Sequence, residues 1–277
     1  MKRLVAAALA VLGAAAASAS AAPRIGVSVS LMDSTWMPYL SDSFFKERPI
    51  AIELAKSGLD PCWYIGWGKD EALPSLRQFN AVWLMTDHEE ECPYPAEKTA
   101  AALKSYVEAG GGLVFCFSPG RYPEAPVDAY WTQVMKAFGA EILHEEVSNP
   151  ETTVQVDKVR RMFHTDSLVP HPVTKGVKGL WLADRSGGTW GSAAVKYSPE
   201  WDVVVTGGKA ARSIPKNPRT NNLEPDKQGF YTADGPIVAV LALGRGRIVF
   251  IASHKDTCGW MFNIDKWPNF TEHSALG

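Results

Sequence analysis

Two histidine–cysteine pairs with the same spacing are the residues best suited to chemistry in this chain. His88 and Cys92 follow one apolar run, and His254 and Cys258 follow another, with three residues between the members of each pair. If both runs are parallel strands, the two pairs leave the sheet at the same edge. Three interpretations stay open: a Cys92–Cys258 disulfide, a tetrahedral zinc site made of both pairs, and a coincidence of spacing.

A serine and a cysteine near the end of a third apolar run are the candidates for a nucleophile. Cys116 lies inside the run between two phenylalanines, and because burial makes a thiol inert we interpret it as a core residue. Ser118 follows the run, but Pro119 comes next and has no backbone N–H to offer to an oxyanion hole. We therefore assign no catalytic residue. Ser118 and His254, with Asp256 to orient the histidine, are the candidates if the chain is a hydrolase.

Aromatic and polar residues follow several of the apolar runs, where they could surround a ligand. Aromatic faces beside aspartate, histidine and arginine suit a sugar or another small polar ring, because they combine stacking with a few placed hydrogen bonds. Arg121 suits an anionic group, since its guanidinium fork matches a carboxylate. The predicted ligand-binding residues are Asp33, Trp36, Trp67, Asp87, His88, Ser118, Arg121 and His254.

The amino-terminal residues have the layout of a secretory signal peptide. A basic start precedes an apolar run at residues 4–17, and small residues lead up to Pro23. The run is too short to span a bilayer, which needs about 20 residues. We expect residues 1–22 to be cleaved, residues 23–277 to form a single domain, and the mature chain to be exported, either periplasmic or secreted.

The net charge and the cysteine content limit the kinds of partner that this chain can be expected to bind. A net charge of -2 at pH 7 argues against a nucleic-acid partner, because neutralising phosphates needs a basic surface. Export permits disulfides among the four cysteines and makes free thiolate ligands uncommon. We expect no cofactor, no metal and no membrane span after signal cleavage, and a small polar ligand as the partner. The sequence does not indicate an oligomeric state. If a metal is bound, its candidate ligands are His88, Cys92, His254 and Cys258.

Apolar periodicity divides the chain into alternating strands and helices. Strands are predicted at residues 24–30, 61–65, 81–86 and 113–117, and helices at 41–57, 95–109 and 127–139. The second half favours extended segments, at 152–157, 180–183, 193–197 and 202–206, with a long exposed loop at 209–228 and a hairpin at 236–252. This order predicts an α/β fold, a flavodoxin-like doubly wound, mainly parallel sheet with helices on both faces and a C-terminal β-hairpin.

The order of elements, the three glycines at 110–112 before a strand, and a helix ending in Phe138 and Gly139 resemble the class I glutamine amidotransferase-like superfamily. Residues 171–177 and 244–251 are similar to segments of its exported, trehalose-utilisation-type members. The resemblance implies the doubly wound sheet. Active members of the family hydrolyse glutamine with a cysteine at a strand-to-helix elbow, and this chain departs from them there.

The function expected from these observations is binding without catalysis. We expect an exported amidotransferase-like domain that holds a small polar, carbohydrate-related ligand at the C-terminal edge of the sheet. The alternative is a hydrolase that uses Ser118 or a His254-activated water at the same edge. The sequence ends at Gly277, where the family has a further helix, and two interpretations stay open: the sequence is a fragment of a longer protein, or this chain does without that helix.

Overall fold

The computed structural model describes residues 22–28, 49–63, 76–85, 95–117, 126–155, 161–184, 191–220 and 222–253. The first half contains β1 (Arg24–Ser28), α1 (Pro49–Lys56), β2 (Asp60–Trp63), β3 (Ala81–Met85), α2 (Ala96–Glu108), β4 (Gly112–Cys116) and α3 (Pro126–Lys136). The second half contains β5 (Ala140–Ser148), β6 (Thr153–Gln155), β7 (Arg161–Thr165), β8 (Leu180–Asp184), β9 (Ser192–Tyr197), β10 (Trp201–Thr206), β11 (Arg212–Pro215), β12 (Pro236–Leu243) and β13 (Gly246–Ile251). Short 3-10 helices lie at Leu76–Gln78 and Pro172–Thr174. None of the described helices is long and apolar enough to cross a membrane.

A seven-stranded main sheet has the strand order β10-β12-β13-β4-β3-β1-β2. Its strands β2, β1, β3, β4 and β13 run parallel to one another. Strand β12 runs antiparallel to both of its neighbours, β10 and β13. The hairpin formed by β12 and β13 falls within residues 236–252. All five residues of β4 are buried, as expected of a strand covered on both faces.

The sequence determines both which face of helix α2 is buried and where the helix ends. Its buried residues recur at helical spacing, which gives the helix one apolar face. The helix ends where Gly110 adopts a φ of 108°, a conformation that glycine reaches without strain from a Cβ. The Gly111 N–H then donates to the Tyr106 carbonyl oxygen at 3.0 Å and turns the chain into β4. The buried residues of α2 are Ala96, Thr99, Ala100, Leu103, Tyr106 and Val107.

One face of the main sheet shares its core with a helix and with a second sheet. Trp83 of β3 and Val114 of β4 point to this face, as expected from the alternation of side chains along a strand. They belong to one cluster of buried residues with Leu54 of α1 and Phe163 of β7. This face is therefore covered by both helical and β structure.

The opposite face is covered mainly by the other two helices. Phe115 of β4 belongs to a second buried cluster with Leu103 of α2 and Trp131 of α3. The Phe115 and Trp131 rings have centroids 5.4 Å apart. Ile142 of β5 and Val195 of β9 extend the same cluster. Strands from the second half of the chain thus contribute to both cores.

Two smaller antiparallel sheets are built from the second half of the chain. One has the order β11-β5-β9 and the other the order β6-β7-β8. The first joins the main sheet where the Ala193 N–H donates to the Ala252 carbonyl oxygen at 2.9 Å. An isolated bridge between Leu168 and Val205 links the region that follows β7 to β10.

The predicted flavodoxin-like doubly wound fold is wrong. The described residues form thirteen strands but three α-helices, and two of their three sheets are antiparallel. From residue 140 to residue 253 the described segments include no α-helix. Short apolar segments in this half pair with one another, β5 with the distant strands β9 and β11, and the resulting sheets supply much of the cover that the prediction gave to helices. The loop predicted at 209–228 is also wrong in part, because it contains β11, in which Ser213 is buried.

Candidate functional site

Three parallel strands end side by side at one edge of the main sheet, which we call the carboxyl edge. Met85 of β3 and Ile251 of β13 both stand opposite Cys116 of β4 in the strand register. The Phe117 N–H donates to the Ile251 carbonyl oxygen at 3.2 Å, so the pairing of β4 with β13 continues past the end of β4. The chain leaves these strands at neighbouring points, which is the place where sheets with parallel strands bind ligands.

Three buried polar side chains lie at this edge, and we call them the edge cluster: Cys116, Ser192 and Ser253. The Cys116 thiol donates to the carbonyl oxygen of Ser253 at 3.3 Å. The Ser192 and Ser253 hydroxyl oxygens are 3.1 Å apart. Ser192 begins β9 and also forms an antiparallel bridge with Ser253. Ser253, two residues past the end of β13, is therefore held from two sides, by β4 and by β9.

A buried carboxylate adjoins the edge cluster. The Ser192 hydroxyl donates to the carbonyl oxygen of Ala183 at 2.9 Å, next to Asp184 at the end of β8. Asp184 is 1% exposed, and its Oδ2 accepts hydrogen bonds from the hydroxyls of Ser148 at 2.8 Å and Thr153 at 2.5 Å. Hydrogen bonds of this kind satisfy the acceptor oxygens of a buried carboxylate. They tie β5, β6 and β8 together behind the carboxyl edge.

The chemistry available to Cys116 is limited by these contacts. Its side chain has no exposed surface, and its thiol is hydrogen-bonded to a backbone carbonyl. A nucleophilic cysteine needs an exposed, electropositive setting that stabilises its thiolate. The geometry agrees with the interpretation of Cys116 as a core residue. Within the segments that the structure describes, no group of three or more histidine, cysteine, aspartate or glutamate side chains is arranged to hold a metal ion.

The predicted site residues all lie outside the described residues. The structure does describe two residues that immediately precede them in sequence, Phe117 before Ser118 and Ser253 before His254. The disulfide, metal, catalytic and ligand-binding hypotheses for these positions stay predictions. The residues concerned are Asp33, Trp36, Trp67, Asp87, His88, Cys92, Ser118, Arg121, His254, Asp256 and Cys258.

Sequence reasoning missed Ser192, Ser253 and Asp184. Ser253 carries a usable signal, because it directly follows an apolar strand at the predicted edge. Ser192 and Asp184 carry no such signal. They come to the edge through the pairing of β9 with β5 and of β8 with β7, neither of which can be deduced from local periodicity.

Two tyrosines at β9, Tyr197 within the strand and Tyr231 packed against it, are held in the neutral state. Burial, with a smaller contribution from Tyr231, raises the pKa of Tyr197 well above its ordinary value of 10.0. Burial, followed by the charge of Glu145, also raises the pKa of Tyr231. Both phenols therefore stay protonated at physiological pH, and the Tyr231 hydroxyl donates to the Val195 carbonyl oxygen at 2.8 Å. Neither tyrosine is suited to act as a base.

Comparison with solved structures gives a likeness at the level of the fold. No protein-family model matches the sequence, and no match was found among curated proteins. The chain is similar to the mmIFT52 N-terminal domain, with a TM-score of 0.53 and 11% sequence identity over 88% of this chain and 96% of that one. At such low identity the similarity concerns the fold alone.

Two further similarities are weaker. A cytoplasmic protein from Salmonella typhimurium LT2 has a TM-score of 0.46 and 11% identity, covering 89% of this chain and 94% of that one. An exo-beta-1,4-mannosidase from Opitutaceae bacterium strain TAV5 has a TM-score of 0.41 and 12% identity over 92% of this chain. This chain spans 34% of the length of the mannosidase. These TM-scores are too low to support an inference about function.

Proposed function

We propose that this protein is an exported, non-catalytic domain that binds a small polar ligand, of the carbohydrate class, at the carboxyl edge of its main sheet. The observation that carries the proposal is the arrangement of Cys116 and Ser253. The ends of β4 and β13 lie side by side, and the buried thiol between them is hydrogen-bonded to a carbonyl rather than available for attack. Such an edge can present binding residues from adjacent loops without supplying a cysteine nucleophile.

The rigidity of the edge supports a binding role. A binding site loses less conformational entropy on ligand association when its supporting backbone is already fixed. Ser253 is fixed by Ser192 and Cys116, and the adjoining Asp184 is fixed by two hydroxyls. The carbohydrate class rests on the tryptophans of the sequence, and export rests on the signal-peptide layout. The resemblance to class I amidotransferase-like proteins stays a prediction.

A direct test measures binding of trehalose, glucose and glucuronate to the purified mature chain by calorimetry and thermal shift. We expect one of these probes to bind, and we expect Arg121→Ala or Trp67→Ala to weaken it at least tenfold. Arg247→Ala is the matched control, because Arg247 is exposed at the amino end of β13, opposite Gly112 and away from the carboxyl edge. If none of the probes binds, the proposed ligand class is wrong. Equal effects of Arg121→Ala and Arg247→Ala would place binding elsewhere.

One observation favours the alternative, a hydrolase. The described strands that precede Ser118 and His254 are hydrogen-bonded neighbours, through the Phe117 N–H and the Ile251 carbonyl oxygen. A serine and a histidine that follow paired strands can serve as nucleophile and base. Hydrolysis of p-nitrophenyl acetate and p-nitrophenyl glucosides tests this, with Ser118→Ala and His254→Ala as the variants. Activity that survives both substitutions rules out a role for these two residues.

A further inference from the structure

A lysine and a glutamate form a buried contact between two strands of the β11-β5-β9 sheet. Lys216 directly follows β11, and Glu146 lies in β5. The Lys216 Nζ is 2.6 Å from the Glu146 Oε1, and the two side chains are 0% and 2% exposed. The Lys216 N–H also donates to the His144 carbonyl oxygen at 3.0 Å, which extends the ladder between the strands and holds the lysine backbone in place.

A buried ion pair of this kind is expensive in its charged form. Removing an ammonium and a carboxylate from water is unfavourable, and their mutual attraction only partly recovers the lost hydration. A buried pair that reacts to a neutral product removes this cost. The sheet also keeps the two groups in contact, and positioned groups react with effective concentrations of about 10⁵ M or more. Exclusion of water from the contact protects an amide product from hydrolysis.

We propose that Lys216 and Glu146 condense to form an amide cross-link in the folded protein. One proton moves from the ammonium to the carboxylate that it already contacts, which frees the Nζ lone pair. Nζ then attacks the Glu146 carboxyl carbon, the new C–N bond forms, and one C–O bond breaks. The departing oxygen leaves as water with two protons that came from the ammonium. No oxidant, reductant or other reactant is required.

The cross-link would join β5 to the start of the segment that leads from β11 to β12. Like a disulfide, it would remove conformations from the unfolded chain and so stabilise the fold. Its partners are far apart in sequence, so the closed loop includes β6 to β11. A covalent tie at this position keeps the end of β11 next to β5 when the rest of the fold opens.

Mass spectrometry of the purified full chain tests the proposal. We expect the folded protein to be lighter by one water molecule than the mass calculated for the residues that remain after signal-peptide cleavage, and a tryptic digest to contain the peptides of Lys216 and Glu146 joined to each other. Lys216→Arg keeps the positive charge but does not form this amide readily. The variant should therefore show no loss of water. Chain recovered unfolded from inclusion bodies, before the amide has formed, should lose water with time after it is refolded and should keep its full mass in denaturant.

The protein contains its own matched control. Lys227 and Glu224 form an ion pair at 2.9 Å, but the lysine side chain is 65% exposed, so water competes for the contact. Peptides covering this pair should have no loss of water. If the peptides that contain Glu146 and Lys216 are separate and have their full masses in folded wild-type protein, the proposal is wrong. It is also wrong if the peptides that contain Lys227 and Glu224 lose water to the same extent. If Lys216→Arg does not fold, the digest of the wild-type chain still decides the question.

Discussion

The Cys116 thiol donates a hydrogen bond to the backbone carbonyl oxygen of Ser253, 3.3 Å away, at the point where β4 and β13 end. Ser253 is also bridged to Ser192 of β9, so one backbone position receives contacts from two different sheets. The hydrogen bond joins the ends of two strands whose following residues are predicted to contact ligand. Cys116, which the sequence alone assigns to the core, thus also holds Ser253 in place at the carboxyl edge.

The first prediction concerns thiol reactivity. Iodoacetamide should label Cys116 at least about a hundredfold more slowly than Cys62 in the native protein. Cys62 is half-buried, whereas Cys116 has no exposed surface, so labelling of Cys116 requires a local opening. An opening that costs about 3 kcal/mol lowers the reactive fraction by that factor. Peptide mapping after timed labelling measures the two rates separately.

Labelling in denaturant supplies the control, because the two cysteines should then react at similar rates. Rapid native labelling of Cys116 would contradict the burial described here. It would also reopen the interpretation of Cys116 as a nucleophile, and with it the enzymatic alternative at the carboxyl edge.

The second prediction compares two tyrosine hydroxyls. Tyr197→Phe should leave the free energy of unfolding unchanged or raise it, since the Tyr197 hydroxyl oxygen is buried and has no hydrogen-bond partner among the described residues. Tyr231→Phe should lower the free energy of unfolding by about 1 kcal/mol, because it removes a hydrogen bond to the Val195 carbonyl oxygen. Urea unfolding of both variants measures the difference.

The two substitutions remove the same atom from the same residue type, so each is the control for the other. A loss of stability in Tyr197→Phe as large as that in Tyr231→Phe would show that the Tyr197 hydroxyl has a partner. The raised pKa of Tyr197 would then have to be explained by that partner as well as by burial.

Local periodicity predicted the parallel strands well but not the architecture. The continuous apolar runs that became β3 and β4 are unambiguous because both of their faces are buried. The glycines after α2 also fix its end. The order of the elements, however, suggested a helix-covered sheet. Antiparallel pairing in the second half depends on contacts between distant residues, and an apolar pattern does not specify which strand pairs with which.

Strand β5 shows why part of the sequence could not be interpreted. Its residues include His144, Glu145 and Glu146, which make the segment look like a polar connection. Glu146 is buried against Lys216, far along the chain, whose Nζ lies 2.6 Å from the Glu146 Oε1. Glu145 accepts a hydrogen bond from the Ser213 hydroxyl at 2.5 Å. Neither partner can be identified without the fold, so the central strand of this sheet was missed.

The third prediction concerns pH. Burial lowers the pKa of His164 below its ordinary value of 6.5, and the charge of Asp166 partly opposes this. The unfolded chain therefore binds a proton at a higher pH than the folded chain does. The folding free energy contributed by the neutral imidazole is fully present above about pH 6.5. It is lost as the pH falls from there through the lower pKa of the folded protein. Thermal unfolding of wild-type protein and His164→Phe between about pH 7.5 and about pH 5.5, a range of about one unit on either side of the ordinary value, measures this contribution.

The phenylalanine variant keeps an aromatic ring against Trp181, whose ring centroid is 5.0 Å from that of His164. The difference in stability between wild type and variant should change with pH in favour of the variant on acidification. A difference that stays constant would show that His164 titrates equally in the folded and unfolded chains. Asp166→Asn should lower the His164 pKa further in an NMR titration, because it removes the charge that raises it.

The fourth prediction concerns the turn between β12 and β13, which packs on the end of α2. A Cβ at Gly246 would lie 2.2 Å from the carbonyl oxygens of Val107 and Gly111, and neither backbone can move without disturbing α2 or β4. Gly246→Ala should therefore lower the free energy of unfolding by at least about 1–3 kcal/mol. Gly58→Ala is the control, since a Cβ there meets no atom within 4 Å. Its only cost is the strain of an alanine at a φ of 80°, which should lower the free energy of unfolding by about 1 kcal/mol. Chemical denaturation of both variants measures the costs, and a Gly246→Ala variant no less stable than Gly58→Ala would mean that the hairpin turn does not dock on α2 as described.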